Sequence, residues 1–372
     1  MLSDAGARSV LRARPVDLGL DEHLPFPFFA IVRQEEMRTA LLLTVINPSV
    51  GGVLLVGPRG VGKTVAVRGL STILPDIAVS DCTEGCLPDD IGPNGETDKL
   101  CEDCAAKVAR GEPIAHYEPV RLIELPLNAR LEDVVGGINE RIAVQQQRVR
   151  LERGILARAD QNLLYVDEVN LLDDQIVDAI LDAASQGSYT VRRGAMVGTY
   201  RSRFVFIGSM NPEEGGLRPQ IMDRFGLRVT VRGLTDEQDR LEIYNRVRAY
   251  RNNRRVFVSQ WYALSEVARE EVSLARELLR EVKLDDRAID VGLKLVNEFG
   301  IDSHRAEFTM FEAARAHAAA DGRDLATVDD VRAVSVMSLR LRRSQFMIDF
   351  LDRQNEEDSQ IRTRLDELTN SK

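Results

Sequence analysis

The chain has 372 residues, 44% of them hydrophobic, and its 49 Lys and Arg against 59 Asp and Glu give a net charge of −10. That length exceeds what one compact core usually holds, so two domains are expected. The acidic balance argues against a surface built to neutralise a nucleic-acid backbone. The longest apolar region, Ala40–Val56, is cut by Asn47, Pro48, Ser49 and two glycines, and the N-terminus carries Asp4, Arg8, Arg12 and Arg14. This pattern speaks against membrane insertion and export, and a cytoplasmic location is expected.

In chain order, residues 1–25 read as a mobile leader, and Phe26–Pro48 begins with turn chemistry before the helix-like QEEMRTALLLTVI. The apolar run Gly52–Val56 predicts a buried strand and Val65–Leu74 an amphipathic helix. Ala78–Val79 starts a strand that opens a cysteine-bearing excursion over 80–118, and Arg121–Leu125 is a short strand ending at Pro126. Helical signals at Leu131–Val135 and Asn139–Arg153 flank a Gly136-Gly137 break. Leu163–Val166 predicts a buried strand followed by a helix over Gln175–Ala184. Tyr189–Val191 and Met196–Tyr200 bracket Arg192–Ala195, giving a β-hairpin over 188–201. Strands at Phe204–Ile207 and Arg228–Val231 follow, and from Thr235 onward the pattern turns helical. Alternating strands and helices over 26–234 imply a parallel sheet covered on both faces, with 235–372 as an all-α lid.

Residues Gly57, Pro58, Arg59, Gly60, Val61, Gly62, Lys63 and Thr64 spell GxxxxGK[ST] between the first strand and its helix. In that context backbone N–H groups surround a β-phosphate, Lys63 places its charge on the β/γ oxygens and the Thr64 hydroxyl ligates Mg²⁺, so ATP with Mg²⁺ is expected. About a hundred residues later the strand Leu163–Val166 ends in Asp167 and Glu168. A phosphate-loop ATPase needs such a pair opposite its loop: Asp167 holds the Mg²⁺ shell and Glu168 polarises the attacking water. Asn211, at the end of the next strand, can orient the same water; its plainer reading is a turn former.

All four cysteines, Cys82, Cys86, Cys101 and Cys104, fall within 23 residues. Paired thiols around a turn-rich loop suit a closed structural Zn²⁺ site, with an iron–sulfur cluster or redox-switching thiols as alternatives. The pair Arg192-Arg193 beside Gly194 is a candidate basic patch, weighed against a solvated hairpin tip.

The order of these parts resembles the AAA+ ATPases. The blocks FPFFAIVRQEEMRTALLLTVINPSVGGVLLVGPRGVGKT, GILARADQNLLYVDEVNLLDDQIVDAILDAASQG and RFVFIGSMNPEEGGLRPQIMDRFGLRV resemble the ATPase I subunit of magnesium chelatase over nearly the whole chain. The resemblance implies that Arg224 of DRFG is a finger reaching a neighbouring subunit's γ-phosphate and that Arg305 is the sensor arginine of the lid. It places Val32 and Gln34 in the segment against adenine, where the family's usual glycine is Arg33 here. It makes the hairpin and the Val134–Ile155 excursion inserted elements near the ring's working face. It further implies a hexameric ring that drives Mg²⁺ insertion into protoporphyrin IX on a separate large porphyrin-binding subunit, with an ATPase-like integrin-domain subunit as second partner. A MoxR- or cobaltochelatase-like motor remodelling a metalloenzyme or integrin-domain partner would share every catalytic residue. A nucleic-acid translocase is the third reading, opposed by the acidic total.

Overall fold

The computed structural model describes residues 24–342 except 83, 93, 94, 139–150 and 195. The expected leader, apart from its last two residues, and the end of the lid therefore lie outside the described residues.

Five strands form one parallel sheet: β1 (Val53–Val56), β4 (Leu122–Leu125), β7 (Leu163–Val166), β10 (Val205–Met210) and β11 (Leu227–Thr230), in the spatial order β11-β1-β10-β7-β4. Register aligns their C-terminal ends: Val56 faces Met210 and Thr230, and Val166 faces Gly208 and Leu125. The residues just beyond Val56, Val166 and Met210 therefore share one edge, where open parallel sheets place ligands.

Each buried strand sends alternate side chains to opposite faces. Val53 and Leu55 of β1 join a core with α1 (Glu35–Ile46) and α2 (Lys63–Leu70), whereas Leu54 and Val56 join the core under α6 (Asp174–Gln186). With both faces covered, β1, β7 and β10 carry continuous apolar or small side chains rather than alternation.

The C-terminal part is helical, as expected: α8 (Glu237–Asn252), α9 (Arg254–Leu278), α10 (Asp286–Glu298), α11 (Arg305–Ala320) and α12 (Val328–Leu339). Two residue-pair strands, β12 (Lys283–Leu284) and β13 (Leu325–Ala326), pair within it. Its core is continuous with the sheet's α1–α2 face: buried Ala313, Ala314 and Ala318 of α11 and Val272 of α9 belong to the same cluster as Leu41, Val53 and Leu70. Small side chains on α11 let it pack closely on α1. Arg276 donates to the Val45 carbonyl at 2.9 Å, and the Asn47 amide donates to the Glu312 carboxylate at 2.7 Å, where α1 meets those helices.

Three insertions decorate the sheet. The cysteine excursion enters and leaves through an antiparallel ribbon, β2 (Ile77–Ser80) with β3 (Ala115–Glu118), and contains α3 (Glu102–Ala109). After α4 (Leu131–Val135), β5 (Gly136–Ile138) pairs antiparallel with β6 (Leu151–Arg153), followed by α5 (Ile155–Arg158). This corrects the helical reading of Asn139–Arg153 at its last three residues; 139–150 lie outside the described residues. Gly136 and Gly137 are strand residues rather than a break, and a Cβ at Gly136 would sit 2.3 Å from the Glu152 carbonyl oxygen. The hairpin β8 (Ser188–Arg193) and β9 (Met196–Arg201) forms as expected, with Gly194 at φ 61° in its turn. Among the described residues no helix is long and apolar enough to cross a membrane.

Candidate nucleotide-binding site

β1 ends at Val56, and the chain turns through Gly57 where no side chain fits, since a Cβ there would lie 2.0 Å from the Val231 carbonyl oxygen. Gly60 and Gly62 take φ of 79° and 94°, a conformation other residues adopt only at a cost. α2 starts at Lys63, so the positive end of its backbone dipoles faces the loop. Lys63 is 8% exposed, and its ammonium donates to the Gly57 and Pro58 carbonyls at 2.6 and 2.9 Å. Burial lowers its pKa, opposed by the charges of Asp167, Glu168 and Glu214.

The four expected residues converge. Thr64 Oγ1 donates to Asp167 Oδ2 at 3.3 Å, joining the loop to the end of β7. Two residues that sequence reasoning passed over complete the cluster. The Tyr165 hydroxyl lies 3.1 Å from Thr64 Oγ1 and donates to Asp167 Oδ1 at 2.9 Å, and the Ser209 hydroxyl donates to the same oxygen. Burial raises the Tyr165 pKa, so its hydroxyl stays neutral and can donate. Ser209 Oγ also accepts the Glu168 N–H at 3.1 Å. Its visible signal was position: Ser209 stands two residues before Asn211 on β10, the strand between β1 and β7.

Glu168 takes φ 53°, a left-handed conformation rare outside glycine, which turns its side chain away from the strand direction. Its carboxylate accepts from Arg59 Nε at 2.9 Å, and the same guanidinium pairs with Glu214. Arg59 is a phosphate-loop residue, so the loop itself grips the acid expected to polarise water. Asn211 is 3% exposed, and its side-chain oxygen caps the turn Pro212–Glu214 by accepting the Glu213 N–H at 3.3 Å. Its amide nitrogen and the second lone pair of that oxygen are left for a water-orienting role.

Arg224 and Arg305 stand apart from this cluster and together. Arg224 ends α7 (Pro219–Arg224) and pairs with Asp182 at 2.9 Å and Asp178 at 3.1 Å on α6. Arg305 opens α11 and lies 3.6 Å from Asp223, the residue before Arg224. Both arginines line one cavity of ≈ 520 Å³ with Gly51, Gly52 and Phe308, and no phosphate-loop residue is among its lining. Asp223 also accepts from Ser303 at 2.8 Å and from buried Arg342 at 2.7 Å. It ties the DRFG turn to the helical part, a role its sequence position did not announce.

Val32 is half-buried, and Gln34 donates to the Arg232 carbonyl at 2.8 Å. Gln34 lines an open polar cleft of ≈ 720 Å³ with Thr230, Arg232, Gly233 and Arg340, and Val32 is not among its lining. Thr230 and Arg232 of its lining flank Val231, whose carbonyl oxygen faces Gly57. Arg33, where the resemblance leads one to expect glycine, takes a left-handed φ of 53°, and its guanidinium bonds both Asp239 oxygens at 3.2 Å.

The four cysteines also meet: their sulfurs lie within 4.8 Å of one another, all as free thiols. Cys86 and Cys104 are buried. The Cys86 N–H points at Cys82 Sγ (3.3 Å) and the Cys101 N–H at Cys86 Sγ (3.2 Å). Burial opposes ionisation of Cys82, but the Ser80 hydroxyl and the Cys86 N–H outweigh it and bring the thiol down to about 6. At the hairpin, Arg193 lies 3.7 Å from Glu132, so half of the candidate basic patch is paired with an acid.

Two family models match the chain: magnesium chelatase, subunit ChlI, over residues 142–223, and an AAA lid domain over 294–363. The magnesium-chelatase subunit ChlI homolog of Methanocaldococcus jannaschii is 42% identical over 86% of this chain and 87% of that protein. The magnesium-chelatase 38 kDa subunit of Cereibacter sphaeroides is 40% identical over 86% and 93%. Among solved structures, one of the complex between subunits BchI and BchD of magnesium chelatase matches at 35% identity and a TM-score of 0.48, covering 88% of this chain and 99% of that one. A putative ATPase from Cytophaga hutchinsonii shares the fold at 19% identity and a TM-score of 0.55, over 85% and 84%. At these identities over most of its length, the chain belongs to the magnesium chelatase ChlI-subunit family of AAA+ proteins.

Proposed function

We infer that the chain is the ATP-hydrolysing motor of a magnesium-chelatase-type complex. The observation that carries this is the convergence of Lys63, Thr64, Asp167 and Glu168 at one edge of the sheet, tied by Tyr165 and Ser209. The loop N–H groups and Lys63 bind the β- and γ-phosphates, and the cleft beside Gln34 takes the base. The donor set of the Thr64 hydroxyl and Asp167 carboxylate fits Mg²⁺, which when bound would neutralise charge developing on the phosphates. Glu168 polarises the attacking water and Asn211 orients it, once the guanidinium of Arg59 yields its hold on Glu168.

Arg224 and Arg305 act across a subunit boundary. Their shared cavity lies apart from the chain's own phosphate loop, so a ring, expected to be a hexamer, would bring both to the next subunit's γ-phosphate. For Arg305 this reading places the lid's sensor arginine beside the finger. Mixing Arg224→Ala with Lys63→Ala protein should restore ATPase activity that each lacks alone; mixtures that stay inactive refute the shared site.

By family, the work done is Mg²⁺ insertion into protoporphyrin IX held by a large partner subunit, with an integrin-domain ATPase-like subunit as second partner. A pull-down with ATP and a non-hydrolysable analogue tests this: recovery of a very large porphyrin-binding protein supports it. Recovery of a small integrin-domain protein alone would favour the MoxR- or cobaltochelatase-like motor. A nucleic-acid translocase is the poorest fit, given the net charge of −10 and the Arg193–Glu132 pair. The four thiols fit structural Zn²⁺: a tetrahedral ion with Zn–S near ~2.3 Å sets its sulfurs about 3.8 Å apart, within the observed spread.

A further inference from the structure

The excursion over 80–118 is poorly equipped to hold itself together. Its core consists of buried Cys86, Cys104 and Ile114, with Ile91, Leu100 and Val108 partly packed around them. So small an apolar cluster does not offset the ordering of a segment this long, and small units of this kind need a cross-link. Four sulfurs within 4.8 Å supply one when a single ion joins them, and a four-iron cluster would spread the same sulfurs further apart. The two backbone N–H groups aimed at Cys82 and Cys86 sulfurs are the donors that thiolates bound to a cation use.

The excursion meets the body of the protein sparingly on one side. A cavity of ≈ 510 Å³ separates Ser80, Cys82, Gly85 and Leu87 from the sheet-edge residues Ile123 and Glu124. On another side a side chain of the hairpin reaches it. Arg201, the last residue of β9, donates to the Gly85 carbonyl at 3.3 Å and to Asp90 Oδ1 at 2.6 Å. Gly85 lies between Cys82 and Cys86, and Asp90 is fixed in turn by accepting the Leu87 N–H at 2.8 Å. Asp90 is 13% exposed and Arg201 35%, so the pair is shielded from solvent more than a surface ion pair.

We propose that the four-thiolate centre is a metal-dependent strut for the β8–β9 hairpin: its ion fixes the Gly85–Asp90 segment, and Arg201 transmits that fixed position to the hairpin's base. The strut rests on the zinc reading above, and it adds that metal occupancy is felt outside the excursion, at 188–201. Loss of the ion frees Gly85 and Asp90, leaves Arg201 without a rigid partner and loosens the hairpin, while the phosphate loop keeps its own network.

Elemental analysis and hydrogen–deuterium exchange of the full-length purified protein test it, before and after stripping with a chelator under reducing conditions and after Zn²⁺ is restored. The expected result is about one equivalent of zinc, faster exchange at both 82–90 and 188–201 on stripping, and recovery with Zn²⁺. Arg201→Ala should keep its zinc and still show the fast-exchanging hairpin, which separates the strut from simple unfolding of a stripped chain. Zinc present with 188–201 exchange unchanged by stripping and by Arg201→Ala overturns the strut and leaves the metal site standing. Less than half an equivalent of any metal, with no uptake of added Zn²⁺, overturns the metal reading itself.

Discussion

Tyr165→Phe removes one oxygen from the centre of the nucleotide site and leaves the aromatic ring, 1% exposed, in its packing. The lost hydroxyl donates to Asp167 Oδ1 at 2.9 Å and lies 3.1 Å from Thr64 Oγ1. A hydrogen bond to an ionised group is worth about 1.5–3 kcal/mol. Asp167 keeps the Ser209 and Thr64 hydroxyls, so the lower end applies. About 1.4 kcal/mol is tenfold in an equilibrium constant. The two groups that would hold Mg²⁺ lose their shared brace, so the half-saturating free Mg²⁺ for ATP hydrolysis should rise about tenfold, with turnover at saturation little changed. The assay is steady-state phosphate release at fixed ATP over a Mg²⁺ titration, with thermal unfolding as the control. An unchanged Mg²⁺ dependence in a folded variant refutes the claim that Tyr165 organises Thr64 and Asp167.

Arg59→Ala frees Glu168 from the guanidinium that occupies its carboxylate, so basal turnover of the chain without partners should rise; a fall to the level of Glu168→Gln would mean that Arg59 instead holds the acid in its working position. Gly57→Ala places a Cβ 2.0 Å from the Val231 carbonyl and must displace the loop, so titration with a fluorescent ATP analogue should show binding lost; wild-type affinity would contradict the cradle geometry. Asp330 is 1% exposed and accepts from Arg323, from the Thr327 N–H at 2.7 Å and from His317 at 2.7 Å. Burial raises its pKa, but Arg323, Thr327 and His317 outweigh that and hold it well below the usual carboxylate range. A depressed folded value means its stabilisation is complete above the unfolded value near ~3.9 and is lost as pH falls through the folded one. Asp330→Asn should therefore cost about 3 kcal/mol at neutral pH and soften the acid limb of the stability profile; a loss under ~1 kcal/mol with the same acid limb would refute the network.

The sheet was legible because its strands are short apolar runs that end in chemistry: Val56 before the phosphate loop, Val166 before Asp167 and Glu168, Met210 before Asn211. Each carries its own local signal, and register then brings the ends together. The misread segment, Leu151–Arg153, is polar and becomes a strand only by pairing with Gly136–Ile138, a contact that leaves no periodicity. Arg59 could be placed in the loop, but its grip on Glu168 and Glu214 depends on residues more than a hundred positions away. The same holds for Asp223, whose partners Ser303, Arg305 and Arg342 come from the far end of the chain. Arg33 shows the limit differently: nothing in its sequence signals the left-handed φ of 53° it adopts, at roughly 1–2 kcal/mol of strain, with the Asp239 pair as a partial offset.

The alanine-rich seam between α11 and α1 sets how stiffly the helical part is joined to the sheet. Prising that seam apart would wet Leu41, Val272, Met310 and their neighbours, at about 1.5–3 kcal/mol for each large side chain. Such a bill rivals the stability of a whole domain, so the joint behaves as a weld and not as an axle. A displacement at Gly57 or Asn211 would then carry the helices with it as one stiff body.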